Sequence, residues 1–148
     1  MKLSILAFFL AALAGSAMAV QGALNSALGK KIGLLEATMI VLLIGTITAL
    51  LALYPLGLGK GELGNLLRVP WYYLLGGVLI VLITYGVVAA IPRLGVANAT
   101  TAIVAAQILT AVLLDHFGLF GLQAIPFSWW KVGGLVLMAV GTRLMLMR

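Results

Sequence analysis

The sequence predicts an all-α integral membrane protein of five transmembrane helices in one membrane domain, residues 1–148. Three observations predict it. Hydrophobic residues make up 64% of the chain and charged residues 8%, with a mean hydropathy of +1.26, too little polar material to coat a soluble globule of this size. The charges sit at the junctions of apolar runs, and a bilayer core about 30 Å thick takes roughly 20 residues in helical form. Backbone groups find no water in lipid, so runs of this length are helices.

The first helix is expected at about residues 3–28, because no charge falls between Lys2 and Lys30. Met1 to Ala19 also has the form of a secretory signal, with Ala17-Met18-Ala19 as a small-x-small cleavage site. The apolar run continues to Leu28, longer than a signal's apolar region, which favours a spanning helix. The second is expected at 34–56, with Glu36 in its first turn, where a carboxylate meets the helix dipole favourably. The third, 70–92, opens on Trp71, Tyr72 and Tyr73, an aromatic belt at headgroup level, and is expected to end at Pro92. Gly95 then frees a tight turn, and the fourth helix runs 95–114 to Asp115. The fifth, 128–147, is less clean. Only eleven residues separate Lys131 from Arg143, so both side chains must snorkel outward. Trp129 and Trp130 open it.

Alternating crossings divide the nine Lys and Arg residues almost evenly. The side of the N-terminus holds Lys2, Lys60, Arg68 and Lys131, and the opposite side holds Lys30, Lys31, Arg93, Arg143 and Arg148. Orientation follows the excess of Lys and Arg in short cytoplasmic loops. Four against five gives no excess, so the chain can insert both ways and pair with its own inverted copy as a ten-helix bundle.

Composition also excludes several functions. The net charge of +6 is scattered singly at segment ends and forms no stripe for nucleic acid. With no Cys and one His there is no thiol nucleophile, disulfide or His-based metal cluster, and no cofactor is expected. Gly57-Leu58-Gly59-Lys60-Gly61 lacks the full spacing of a phosphate-binding loop. No catalytic signature is present, and the reading is a non-enzyme.

Polar side chains inside membrane helices are costly unless paired, hydrated or used. Gln21 and Asn25 lie four apart on one face of the first helix. On the fourth, Thr100, Gln107 and Thr110 share a stripe, with Asn98 and Thr101 nearby. Amides and hydroxyls both donate and accept, so Gln21, Asn25, Asn98, Thr101 and Gln107 are candidates for holding a polar solute, and interhelical bonding is the alternative. Glu36, Asp115 and His116 are candidates for ion coupling. Small residues mark close approach in lipid. Gly15, Ala19, Gly22, Ser26 and Gly29 follow helical spacing in the first segment, and Gly134 and Gly141, seven apart, form a candidate dimer-packing stripe in the fifth.

Three stretches together carry a family resemblance: Gln21-Gly22-Ala23-Leu24-Asn25-Ser26-Ala27-Leu28-Gly29, Pro92-Arg93-Leu94-Gly95, and Gln107 to Gly118, which ends Asp115-His116-Phe117-Gly118. They resemble the YdcZ-type family of small five-helix bacterial membrane proteins in the drug/metabolite transporter superfamily. The stretch from Gly134 to Gly141 is also similar to the last helix through which small multidrug-resistance proteins dimerise. The resemblance implies a half-size transporter of the bacterial inner membrane, occurring as dual-topology homodimers, oppositely oriented pairs or fused chains. Its partners are then the bilayer, its own inverted copy and a small-molecule or ion substrate. One departure matters. The first helix has Gln21 and Asn25 where small multidrug-resistance proteins carry an embedded Glu, which argues against proton-coupled export of cationic drugs by that route. The function expected is secondary transport of a small solute by alternating access, with a structural or regulatory membrane subunit as the alternative.

Overall fold

The computed structural model describes residues 2–59, 61–121, 123–125 and 128–147, without the side chains of 2–4 and 121. Lys60, Phe127 and Arg148 lie outside the described residues, as does the side chain of Lys2. The described residues form α1 (Lys2–Ile32), α2 (Leu34–Leu53), α3 (Leu75–Leu94), α4 (Val96–Phe117) and α5 (Trp129–Leu146). Short 3-10 turns cover Leu63–Arg68, Trp71–Leu74 and Leu119–Gly121, and no described residue is in a strand. Four segments are long and apolar enough to cross a membrane: Ile5–Ile32, Leu34–Leu53, Trp71–Leu94 and Val96–Phe117. α5 has 18 residues and carries Lys131 and Arg143, which keeps it apart from these four.

Several boundaries move from the sequence-based ones, each for a local reason. α1 runs past Leu28 to Ile32, because only Gly33, at φ 105°, leaves helical geometry. α3 does not end at Pro92 but continues through it to Leu94. Proline costs a helix the bond to the carbonyl four residues back, here that of Val88, and with two residues left in the helix that loss is confined to its last turn. The break falls instead at Gly95, whose φ of 82° favours glycine. α4 extends to Phe117, where Gly118 adopts the left-handed conformation and its N–H reaches the carbonyls of Asp115 and Leu114. α2 stops at Leu53, three residues before its expected end.

Two compact units make up the chain, Met1–Arg93 and Leu94–Arg148. In the first, α1 packs on α2 along its C-terminal half. The buried residues of α1 are Gly22, Asn25, Ser26 and Gly29, one stripe at i, i+3, i+4 and i+7. Its N-terminal half turns Phe8 and Phe9 outward, as suits a surface in hydrocarbon. Glycine makes the close approach possible. A Cβ at Gly22 would lie 3.0 Å from both Val87 Cγ1 and Ile91 Cδ1 of α3, and one at Gly29 would lie 2.5 Å from Val88 Cγ1. Ala37 and Thr38 of α2 and Val88 of α3 are fully enclosed.

The second unit is the α4 and α5 pair. Ala105 and Ala106 of α4 and Val132, Leu135 and Ala139 of α5 border an apolar groove of about 440 Å³. A second groove, about 340 Å³, runs past Ala111 and Gly134 to Asp115 and Lys131.

Two joints have the same construction. One residue, Gly33, separates α1 from α2, and one residue, Gly95, separates α3 from α4. Their backbone angles are alike, φ 105° and ψ 154° at Gly33 and φ 82° and ψ 160° at Gly95. Each glycine carbonyl accepts the first bond of the following helix at 3.1 Å, from the N–H of Ala37 and of Ala99.

Candidate functional site

The solute candidates fall in both units. Gln21 and Asn25 belong to the first, on α1, and Asn98, Thr101 and Gln107 to the second, on α4. On α1 the two amides differ in environment. Asn25 lies within the packed stripe and is 8% exposed, whereas Gln21 stands at the stripe's edge and is exposed. Ser26 at 3% and Thr38 at 1% are still more enclosed. The Thr38 hydroxyl donates to the Leu34 carbonyl at 2.8 Å, which satisfies it within its own helix. Among the described residues no buried side-chain nitrogen or oxygen lacks a hydrogen-bond partner.

α4 does not gather its polar residues on one face. At about 100° per residue, nine positions place Gln107 roughly 180° around the helix from Asn98. Asn98 and Thr101 share the side of Ala105 and Val112, which border the α5 grooves, and both are partly buried. Gln107 is exposed on the far side, in line with Thr100. Thr101 and Thr110 donate to the carbonyls of Ala97 and Ala106, each four residues back, at 2.8 and 2.9 Å. Within one chain Asn98 and Thr101 therefore stand apart from Gln107.

The ion-coupling candidates have individual settings. Glu36 is the third residue of α2, exposed, and its carboxylate folds back over Gly33 where a Cβ would otherwise lie. A carboxylate there meets the positive end of the helix dipole. Asn98 holds the same third position in α4. Asp115 faces Lys131 of α5, 3.9 Å from its Nζ, with both side chains partly exposed. A pair of this kind contributes about 0–1 kcal/mol. The Asp115 carbonyl accepts from the Ile125 N–H at 2.8 Å, which ties the connection after α4 back to the helix end. The His116 ring meets Phe117 edge to face, centroids 5.0 Å apart. No group of three or more potential metal ligands occurs among the described residues. Gly134 and Gly141 have open space within 4 Å of an added Cβ among the described residues, so neither glycine is used for close packing between α4 and α5.

Sequence reasoning passed over Ser26 and Thr38 as polar groups. Ser26 was legible only as a small residue in the glycine spacing, and Thr38 lies one turn inside an apolar run without a polar neighbour on its face.

Residues 6–144 match the family described as "Putative inner membrane exporter, YdcZ". The chain belongs to the YdcZ family. No curated protein and no solved structure matches it. As a YdcZ-family member with four helices long and apolar enough to cross a membrane, it is a multi-pass protein of the inner membrane. The family's description supports a membrane transporter and is consistent with a non-enzyme.

Proposed function

We propose that this YdcZ-family protein is a secondary transporter for a small solute, crossing the membrane five times and working by alternating access as an antiparallel, dual-topology homodimer. The observation that carries the transport reading is the match of residues 6–144 to a family of exporters. Other features support the finer parts. The 18 residues of α5 extend about 27 Å, and Lys131 and Arg143 lie near its two ends, within snorkelling reach of the headgroups. Gly134 and Gly141 leave an open face for close approach by a second copy. The even division of Lys and Arg favours insertion both ways. In such a dimer the two inverted protomers exchange roles as the pathway opens to either side.

Gln21, Asn25 and Gln107 line the pathway in this account, with Asn98 and Thr101 in support. Because Asn98 and Gln107 occupy opposite sides of α4, that support reaches the pathway through different protomers of the pair. Glu36, Asp115 and His116 remain the candidates for ion coupling.

Purified protein in proteoliposomes, screened with sugars, amino acids, nucleosides and weak ions, identifies the solute. Gln107→Leu is then expected to lower its uptake at least about tenfold, the equivalent of one lost hydrogen bond to the solute, with dimer and melting temperature unchanged. Full uptake with a lost dimer contradicts the transport role of Gln107 and supports a structural subunit.

A further inference from the structure

Asp115 and Lys131 each stand at the electrostatically wrong end of their own helix. Asp115 lies in the last turn of α4, where the helix dipole is negative, and Lys131 is the third residue of α5, where it is positive. Neither placement helps its helix form. Because α5 runs back along α4, the two ends meet, and each dipole reinforces the charge of its own residue. The pair leaves both groups incompletely satisfied. Asp115 Oδ2 and Lys131 Nζ are 3.9 Å apart, beyond the about 2.7–2.9 Å of a charge-assisted hydrogen bond. Among the described residues this pair is the sole polar contact of either charged group. Their side chains are 42% and 31% exposed, so both can be reached from outside.

The two charges also close one end of the groove of about 340 Å³, whose walls beyond them are aliphatic, with Ile108 and Val112 of α4 facing Leu135 and Met138 of α5. The groove on the other flank of the same helix pair has no charged residue in its lining. Trp129 and Trp130, immediately before Lys131, are 88% and 91% exposed, which sets this end of the groove at headgroup level. We infer that the groove is the site of one bilayer phospholipid bearing a primary ammonium, with its phosphate on Lys131, its ammonium on Asp115 and an acyl chain along the aliphatic walls. The charged mouth and apolar trough require an amphiphile. A basic pocket alone would take an anionic headgroup, whereas a site that carries both signs matches a headgroup that also carries both. A primary ammonium brings three donors to the Asp115 carboxylate, and a trimethylammonium brings none. The ethanolamine type is therefore favoured over choline. The assignment stands independently of the transport reading.

The full-length protein in mild detergent is titrated with phosphatidylethanolamine, phosphatidylcholine and phosphatidylglycerol of identical acyl chains, and bound lipid is counted by native mass spectrometry. One phosphatidylethanolamine per protomer is expected, with a Kd at least about tenfold below those of the other two, the equivalent of one charged hydrogen bond. Asp115→Asn is expected to abolish the preference over phosphatidylglycerol, whose phosphate still meets Lys131. Lys131→Gln is expected to weaken phosphatidylethanolamine at least about tenfold. Ala111 is an exposed residue bordering the groove, and Ala111→Phe is expected to obstruct the acyl chain and weaken all three lipids. Glycerophosphoethanolamine, the same headgroup without chains, is expected not to compete. Equal affinities for the three lipids in the parent, or an unchanged preference in Asp115→Asn, overturns the assignment. If no lipid is retained and Ala111→Phe instead breaks up the dimer, the groove belongs to a second copy of the chain and the assignment falls.

Discussion

Gly29→Leu is expected to destabilise the protein by about 3 kcal/mol, the upper part of the range for overpacking a close-packed interior. The Cβ alone would come within 2.5 Å of Val88 Cγ1, and that methyl belongs to a short β-branched side chain that is itself fully enclosed. Leu34 Cδ2 at 3.4 Å and Ala37 Cβ at 3.8 Å close the other directions, so the added atoms can be accommodated only by separating α1 from α2 and α3. Gly134→Leu provides the contrast. Nothing lies within 4 Å of its added Cβ, so the protomer should melt within about 0.5 kcal/mol of the parent, as for a surface substitution. In a dimer that uses the α5 glycine face, the same change should leave monomers. Thermal melting in detergent and size determination of both variants check the pair of outcomes. A stable Gly29→Leu protein would contradict the helix packing described here.

The second large effect concerns orientation. Replacing Lys2, Lys60 and Arg68 by Gln leaves Lys131 alone on the N-terminal side against five basic residues opposite. Replacing Lys30, Lys31 and Arg93 instead leaves four on the N-terminal side against Arg143 and Arg148. The positive-inside bias then holds the first variant with its N-terminus outside and the second with its N-terminus in the cytoplasm. Each alone is expected to lose solute uptake, because inverted partners are missing, and co-expression of the two is expected to restore it. Full uptake by either variant alone, with one-sided topology established by labelling, would show that the inverted pair is unnecessary.

Much of the fold was legible because the determining physics is local. Four apolar runs bounded by Lys2, Lys30, Glu36, Arg68, Arg93 and Asp115 correspond to the four helices long and apolar enough to cross a membrane, since length and charge spacing decide whether a helix can span. The ends were less legible. Pro92 reads as the end of α3 in sequence, but a proline near a helix end costs only the last turn, and the stop belongs to Gly95, where backbone angle decides. For α5, Lys131 and Arg143 break the apolar run, and reach along a lysine or arginine stem is not a property of sequence spacing alone.

The candidate residues divide along similar lines. Position around a helix follows from counting, so the shared face of Gln21 and Asn25 was readable. Depth of burial was not, because Gly22 and Gly29, on the same stripe as Asn25 and Ser26, abut Val87, Val88 and Ile91 some sixty residues away in the chain.

In the proposed mechanism one chain inserts in both orientations and works as an inverted pair. It is tested most directly by placing single cysteines beside Lys2 and beside Arg148 in this cysteine-free chain and labelling intact cells and inverted vesicles with an impermeant thiol reagent. Dual topology predicts that each cysteine is labelled from both sides of the membrane in comparable amounts. Labelling of each from one side only would contradict it.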